Sequence, residues 1–356
     1  MGEDVSGSPE WAGLEEFLAA QIYADASGVR IADVARPQGG ASWDTFLIDV
    51  EIEREGVRER PRVVVRRAPE SGPMAPYEVN KDVAILSALE ESDVPVPRLL
   101  GWSVDPTVFD RQFIVMDFVA GESHDITQVE RWPRWQQDRT SLGNEIVDTL
   151  AALHRFEWRG TPIEGFFGSA GTIGERVRGL LDSYFEPLSA LAGLRQRGLP
   201  LWRELASWLR QNVPDAEDDD LVLVHGDYRF GNFLWRDTEI AAVHDWERAS
   251  LGHRMQELGF ICMPLSRLRD PRIMGKALPF DALAERYERE SGLAVDIAKV
   301  QYFAVLWQML EAVNALRSGL EDPIPVVTTA VAAQPNLVAR QMLQLIEDLE
   351  AGRPAL

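Results

Sequence analysis

Short segments with helical or strand-like spacing of apolar side chains follow one another through the first 120 residues. Helical spacing covers residues 11–24 and 78–91, and strand-like spacing covers 46–50, 60–69 and 111–119. Phe46, Ile48 and Val50, for example, alternate with polar residues, as in a strand with one buried face. A Gly-containing turn precedes this strand. The pattern predicts a small α+β unit over residues 1–119.

Helical spacing dominates after residue 120. Apolar residues recur every three to four positions within 142–153, 176–194, 200–212, 281–317 and 336–351. Two short β-type runs, LVLV at 221–224 and IAAV at 240–243, interrupt this region. We therefore predict a mostly helical second unit over residues 120–356, with a small β element inside it.

The composition indicates a globular protein without a membrane segment. Hydrophobic residues make up 46% and charged residues 26% of the 356 positions. No apolar run approaches the ~20 residues of a membrane span, and the acidic N-terminal stretch lacks the apolar core of a signal peptide. The single cysteine, Cys262, excludes a disulfide framework and is expected to be buried. We predict a cytoplasmic protein.

The charge narrows the choice of partners. A formal net charge of −21 disfavours binding to nucleic acid or to anionic membranes, because both carry negative charge themselves. The charge would suit a cationic small molecule, although solubility is the more ordinary explanation for it. The sequence leaves the oligomeric state open.

Polar side chains follow both β-type runs of the second unit. The run LVLV leads to His225 and Asp227, IAAV leads to His244 and Asp245, and Asn232 lies five residues after Asp227. A carboxylate can accept or orient the proton of a hydroxyl, and carboxylate and carboxamide oxygens suit Mg²⁺. Phosphoryl transfer needs these groups, because it depends mainly on positioning and charge stabilisation. We predict that they lie together at adjacent strand ends.

These segments resemble the aminoglycoside phosphotransferase-like family, the small-molecule relatives of protein kinases. HGDYRFGN at 225–232 resembles the family's catalytic loop HGDxxxxN, and VHDWE at 243–247 resembles its metal-binding segment. In the segment that follows, Glu257 stands where the family has a later Asp. MDFVAGE at 116–122 resembles a kinase hinge, and LAALHRFEW at 150–158 resembles the end of a family helix. The resemblance covers about residues 30–315.

The resemblance implies a bilobal, protein-kinase-like α+β fold with a small β-rich N-terminal lobe and a larger, mostly helical C-terminal lobe. It implies ATP, with GTP left open, Mg²⁺, and transfer of the γ-phosphate to a hydroxyl of a small molecule. Asp227 would be the catalytic base and His225 would brace its loop. Asn232 and Asp245 would bind Mg²⁺. Asp227 and Asp245 are then expected to face a common magnesium–triphosphate cleft between the lobes.

The resemblance also implies a set of nucleotide-binding residues. Arg66 takes the place of the strand Lys that holds the α- and β-phosphates, and Asp82 takes the place of its helical Glu partner. The implied phosphate loop GGASWDT includes Gly40 and Ser42. The implied hinge includes Met116, Asp117, Val119 and Glu122.

Two other functions stay open at this point. A metal-dependent phosphohydrolase could use His225, Asp227, His244 and Asp245 as ligands, although the His-Asp hydrolases that this dipeptide suggests carry their ligands on helices. A nucleotide-binding module without catalysis could keep the same fold. A protein kinase is disfavoured, since no Asp-Phe-Gly and no Ala-Pro-Glu follow Asp245. The acceptor pocket is expected around residues 160–200 and 255–320.

Several other residues have ordinary structural interpretations. His154 is expected to pack at a helix end and His253 to lie in a surface turn. Trp158 and Trp246 are expected in the core.

Overall fold

Contacts between residues divide the chain into two units. The first comprises Met1–Gly121, Arg159–Gly168 and Ala241–Glu247, and the second comprises Glu122–Trp158, Ser169–Ile240 and Arg248–Leu356. The structure is a computed structural model, and it describes residues 10–37, 43–70, 77–125, 128–168, 171–190, 199–217, 220–267, 270, 272–321 and 335–353. Gly40 and Ser42 of the implied phosphate loop lie outside the described residues.

One antiparallel sheet of six strands forms the centre of the first unit. Its strands are β1 (Gly28–Ala35), β2 (Asp44–Arg54), β3 (Val57–Glu59), β4 (Arg62–Arg67), β5 (Leu99–Ser103) and β6 (Phe113–Asp117). The order is β1-β2-β4-β6-β5, with β3 paired to β2. The predicted strands within 46–50, 60–69 and 111–119 are therefore confirmed.

The sheet buries one face against the N-terminal helix. The first unit's helices are α1 (Ala12–Phe17), which continues as a π-helical turn (Leu18–Ile22), α2 (Val79–Leu89), α3 (Pro106–Phe109) and α5 (Pro162–Phe167). Phe46, Ile48 and Val50 are fully buried, as the alternation predicts. The Trp11 ring meets Phe46 edge to face at 5.1 Å between ring centroids. Aromatic packing of this kind contributes about 0.5–1.5 kcal/mol beyond area burial.

Helices make up most of the second unit, as predicted. They are α4 (Pro133–Arg155), α6 (Ile173–Ala190), α7 (Leu199–Gln211), α8 (Met255–Cys262), α9 (Pro264–Arg267), α10 (Phe280–Ser291), α11 (Ile297–Glu321) and α12 (Pro335–Glu350). The helical pattern of 281–317 breaks at Gly292, whose φ of 74° ends α10 in the left-handed conformation that glycine tolerates. No described helix has the length and apolar character needed to cross a membrane.

Short strands pair in three small sheets. Strands β7 (Leu221–Val224) and β10 (Ser250–His253) form one, β8 (Phe233–Arg236) and β9 (Glu239–Val243) form another, and β11 (Ile273–Met274) and β12 (Leu278–Pro279) form the third. Both β-type runs are thus strands. β7 pairs with β10 and β9 pairs with β8, and the expectation that the polar residues after the two runs lie together at adjacent strand ends stays a prediction.

The expectation that His253 lies in a surface turn is wrong. The residue is fully buried, because β10 pairs with β7 and brings His253 opposite Leu221. Its Nδ1 accepts the Met255 N–H at 2.9 Å. Burial lowers the pKa of His253 to about 4, so the ring is neutral at neutral pH. The other interpretations hold, since Trp158, Trp246 and Cys262 are buried and His154 packs at the end of α4.

Candidate active site

The loop after β7 is held in place by a buried histidine and a glycine. All four residues of β7 are buried, and they lead into the fully buried His225. Its Nδ1 accepts the Asp227 N–H at 3.2 Å. Gly226 has a φ of 81°, and a Cβ at this position would collide with the carbonyl oxygen of Arg248. The turn therefore requires glycine for both conformation and space.

The Asp227 carboxylate is contacted by several side chains. Arg229 Nε donates to both of its oxygens, at 2.9 and 3.1 Å. Asn232 Nδ2 donates to Asp227 Oδ2 at 2.8 Å and to its backbone oxygen at 2.8 Å. Arg248 Nη1 lies 4.0 Å from Oδ1. The carboxylate is therefore oriented from several sides.

These contacts keep Asp227 ionised. Burial acts to raise the pKa of Asp227, but the positive charges of Arg229 and Arg248 and the Arg229 hydrogen bond outweigh it, so the pKa is lowered. The carboxylate is the proton-accepting form that a general base requires.

Asn232 is held by hydrogen bonds from its amide nitrogen. Its Nδ2 is committed to Asp227, so Oδ1 is the atom that can serve a further partner. The side chain is buried at the end of a 3₁₀ turn formed by Phe230–Asn232. A fixed carboxamide oxygen is a hard ligand of the kind that Mg²⁺ accepts.

Glu257 supports the same loop from α8, and the sequence analysis assigned it no role. Its Oε2 accepts the His225 N–H at 2.6 Å, and its Oε1 accepts the Gly226 N–H at 3.2 Å. Glu257 is fully buried, and burial raises its pKa to about 7 against the effect of these two N–H groups. The one indication of this role in the sequence was that Glu257 stands where the family has an Asp.

Two arginines near Asp227 were also missed. Arg229 lies within the motif HGDYRFGN itself, so its position was visible in the sequence. Arg248 pairs with Glu311 of α11 at 2.7 Å and lies over the Trp307 ring at 5.0 Å. Nothing local in the sequence relates Arg248 to Asp227, because the two meet only through tertiary structure.

The segment after β9, which is predicted to bind metal, belongs to the first unit. Asp245 has a φ of 71°, an uncommon conformation for a residue with a side chain. Arg66 Nη2 lies 2.9 Å from Asp245 Oδ1, and Arg66 Nη1 lies 3.5 Å from Asp82 Oδ1. The structure thus brings three of the predicted residues together. Burial raises the pKa of Asp82, while Arg66 and Lys81 act to lower it.

Lys81 is a further residue that the sequence analysis missed. It lies next to Asp82 in the first turn of α2, and its Nζ donates to the backbone oxygen of Glu247. Burial lowers the pKa of Lys81, although the carboxylates of Asp82 and Glu247 oppose this effect. Its position beside the predicted Asp82 was the only signal in the sequence.

The predicted hinge residues fall in both units. Met116 is buried in β6 and Val119 is partly buried just after it. The Asp117 carboxylate pairs with Arg98 at 2.9 Å, and the Asp117 N–H donates to the Arg98 backbone oxygen at 3.0 Å. The carboxylate and the backbone N–H of Asp117 therefore both bind Arg98, within the first unit.

Glu122, the last predicted hinge residue, belongs to the second unit. Its backbone N–H and C=O both pair with Trp235, at 2.9 and 2.8 Å. Its side chain is 68% exposed and lies 3.1 Å from His124. The backbone is therefore fixed while the carboxylate faces solvent.

A small cavity lies beside the loop that carries Asp227. Its volume is about 10 Å³, and Tyr228, Arg229 and Phe230 line it together with residues of α4 and of β12. This space holds about one water molecule. The cavity is therefore not the acceptor pocket, whose predicted location stays a prediction.

Within the described residues, no group of three or more His, Cys, Asp and Glu side chains is arranged as a metal site. Mg²⁺ commonly uses one or two protein carboxylates and takes its other ligands from phosphates and water. Asp245 belongs to the first unit and Asn232 to the second, and their joint use stays a prediction.

Comparison with solved structures identifies the fold. The chain is similar to a putative aminoglycoside phosphotransferase from Ralstonia eutropha, with a TM-score of 0.72, 20% identity, and coverage of 95% of this chain and 98% of the other. It is similar to an ethanolamine kinase from Plasmodium vivax, with a TM-score of 0.60, 11% identity, and coverage of 94% and 86%. A ternary complex of aminoglycoside phosphotransferase APH(4)-Ia with ADP and hygromycin B matches with a TM-score of 0.57, 14% identity, and coverage of 94% and 98%. The predicted protein-kinase-like α+β fold is confirmed.

The family follows from the sequence match. The chain belongs to the phosphotransferase enzyme family, whose profile matches residues 33–303. The predicted resemblance is therefore confirmed, and the family supports a phosphotransferase.

Curated relatives combine this region with a longer chain. Acyl-CoA dehydrogenase family member 11 of Gallus gallus is 29% identical over 289 residues, which are 77% of this chain and 34% of the relative. The probable acyl-CoA dehydrogenase IBR3 of Arabidopsis thaliana is 29% identical over 237 residues, which are 63% of this chain and 27% of the relative. The chain thus spans about a third of the length of these relatives.

Proposed function

We propose that the protein transfers the γ-phosphate of ATP to a hydroxyl group of a small molecule. One observation carries this proposal: Asp227 is kept ionised and is oriented by Arg229, Asn232 and the neighbouring Arg248. Such a carboxylate can take the proton of a hydroxyl that attacks phosphorus. Family membership supports the reaction class.

The reaction proceeds by attack of the acceptor oxygen on the γ-phosphorus. The new P–O bond forms as the bond to the β-phosphate oxygen breaks, ADP leaves, and the hydroxyl proton passes to Asp227. Arg229 and Arg248 hold Asp227 in its charged form before the transfer. His225 and Glu257 fix the backbone of the loop, so the carboxylate keeps its direction.

Nucleotide binding is assigned to the residues that the family resemblance indicates. Arg66 would contact the phosphates and Asp82 would orient Arg66, while the backbone around Met116 and Val119 would accommodate the base. The oxygens of Asn232 and Asp245 would hold Mg²⁺. When bound, Mg²⁺ neutralises the charge of the phosphates and organises them for transfer.

The acceptor class has two sources of support. The net charge of −21 favours a cationic hydroxyl compound such as an aminoglycoside or an amino alcohol. The names of the curated relatives mention acyl-CoA, so acyl-CoA compounds that carry a hydroxyl group join the candidates. A coupled ADP-release assay with these three classes and with hydroxy acids, using ATP or GTP as donor, tests each one.

The Asp227→Asn variant provides the decisive test. It keeps the size of the side chain but loses its basicity, so we expect acceptor phosphorylation to fall by about 10²–10⁴-fold while ADP still stabilises the protein in a thermal-shift assay. Asp125→Asn is the matched control, since Asp125 lies 3.7 Å from Arg229 and is more exposed. An Asp227→Asn variant with wild-type transfer would overturn the proposal.

Two outcomes with the wild-type protein separate the alternatives. Phosphate release from ATP without any acceptor would point to a hydrolase. Stabilisation by nucleotide without turnover on any acceptor class would point to a nucleotide-binding module.

A further inference from the structure

One lysine joins α2 to the segment that carries Asp245. Lys81 Nζ donates to the backbone oxygen of Glu247, two residues after Asp245. The ammonium group is partly buried. A charged donor on a backbone carbonyl makes a stronger hydrogen bond than a neutral one, particularly away from water.

The neighbouring residue of α2 makes a parallel but longer connection. Asp82 reaches Arg66 at 3.5 Å, and Arg66 reaches Asp245 at 2.9 Å. The first of these distances exceeds that of a strong charge-assisted hydrogen bond, about 2.7–2.9 Å. Lys81 is therefore the more direct link between α2 and the metal-binding segment.

The segment needs such support because its backbone is strained. The φ of 71° at Asp245 lies in the left-handed region, which costs a residue with a Cβ roughly 1–2 kcal/mol. Such conformations persist where the surrounding structure holds them. Trp246, which directly follows Asp245, is buried, and its Nε1 donates to the backbone oxygen of Val243, on the other side of Asp245, at 3.3 Å. The Lys81 bond secures the residue that follows.

We propose that Lys81 is a positioning residue that holds Asp245 in the conformation used for magnesium–nucleotide binding. This inference rests on the proposed function, since it assigns Asp245 to Mg²⁺. Lys81 acts through the backbone of Glu247, so it touches neither the acceptor nor the transferred group. Removing its ammonium group frees the turn while leaving the Asp245 carboxylate in the chain.

Lys81→Met removes the charge and the donor at nearly constant volume. We measure ADP stabilisation by thermal shift across a Mg²⁺ titration, together with ADP alone in EDTA. We expect the half-saturating Mg²⁺ concentration to rise about tenfold, which corresponds to the loss of one charged hydrogen bond. The shift with ADP in EDTA should stay at the wild-type value.

Two further variants act as controls. Lys81→Arg keeps a charged donor and should restore the half-saturating Mg²⁺ concentration to within about threefold of wild type. Lys299→Met removes a lysine of the second unit that lies 4.0 Å from Asp220, and it should leave the Mg²⁺ titration unchanged. Together the two controls distinguish the loss of the positive charge at position 81 from the loss of a lysine charge elsewhere in the chain.

Hydrogen exchange of the nucleotide-free protein gives a readout that needs no ligand. We expect the amides of residues 245–249 to exchange faster in Lys81→Met than in wild type, with little change in β7 or α8. If Lys81→Met folds too poorly to assay, Lys81→Gln is measured in the same way and its exchange rate decides.

The outcomes distinguish the two proposals. A wild-type protein without any Mg²⁺-dependent ADP stabilisation overturns the proposed function. A wild-type protein with that stabilisation, matched by Lys81→Met in both titration and exchange, overturns the positioning role of Lys81 alone.

Discussion

Glu257 accepts the backbone N–H of His225 at 2.6 Å, although the two residues are 32 positions apart in the chain. The carboxylate is fully buried and its pKa is raised to about 7 by burial. A side chain that titrates near neutral pH thus supports the loop that carries Asp227. The support of this loop is therefore sensitive to pH.

The Glu257→Gln variant should remove one pH-dependent contribution to stability. The pKa of Glu257 is raised in the folded protein, so its contribution is fully present below the unfolded value of 4.5 and is lost as the pH rises to about 7. Glutamine stays neutral and keeps an accepting oxygen. Between pH 5 and pH 8, we expect the free energy of unfolding of wild type to fall by about 3 kcal/mol relative to that of Glu257→Gln. Chemical denaturation at several pH values measures this, and parallel curves for the two proteins would contradict it.

Arg229 should control the pH at which Asp227 is active. Burial favours the protonated form of Asp227, and the charge of Arg229 counteracts it, so the pKa is lowered. We expect Arg229→Met to raise the pKa of Asp227 and to move the acidic limb of the kcat/KM–pH profile to higher pH. Arg229→Lys should give a smaller shift. Arg134→Met removes an arginine that pairs with Asp138 and Asp237, and its profile should match wild type. An unshifted acidic limb in Arg229→Met would show that Arg229 does not set this pKa.

Gly226 should tolerate no side chain. An alanine there is strained by the φ of 81° and also collides with the Arg248 carbonyl oxygen. We expect Gly226→Ala to lower the free energy of unfolding by about 2–5 kcal/mol, the sum of a left-handed and an overpacking penalty. Gly160 is the matched control, since its φ is 75° and its Cβ would meet nothing within 4 Å. Gly160→Ala should cost about 1–2 kcal/mol. Equal losses in the two variants would rule out the collision.

His253 should make the protein sensitive to acid. Its pKa is lowered to about 4 by burial, so the unfolded chain takes up a proton below pH 6.5 that the folded protein takes up only near pH 4. Stability is therefore lost as the pH falls through this window. Asparagine can accept the Met255 N–H without titrating. We therefore expect the free energy of unfolding of wild type to fall by about 3 kcal/mol relative to that of His253→Asn between pH 7 and pH 4. An unchanged difference in acid unfolding would assign the sensitivity to other groups.

Local patterns anticipated much of the fold. The alternation of Phe46, Ile48 and Val50 predicted a strand and its buried face, because side chains of a strand point alternately to its two sides. The motif HGDYRFGN predicted a loop with Asp227 and Asn232 close together, since they are only five positions apart and a single loop can bring them into contact. Neither inference required knowledge of distant residues.

Other features had no local signal. His253 looked like a surface residue until the pairing of β10 with β7 buried it. The sequence predicted the strands that precede His225 and Asp245. It did not predict the strands with which they pair, because strand pairing depends on which segments the rest of the fold brings together. The same holds for Arg248, whose relation to Asp227 no spacing could reveal.

The amino-acid sequence by itself determined the family, the class of fold and the carboxylates available for chemistry, because these follow from short motifs and from periodic burial along a single segment. Only the tertiary structure decided which groups hold those carboxylates. Arg66 meets Asp245 across 179 positions and Lys81 meets Glu247 across 166. Contacts over such separations arise from packing of whole elements, and periodicity within any one element carries no information about them.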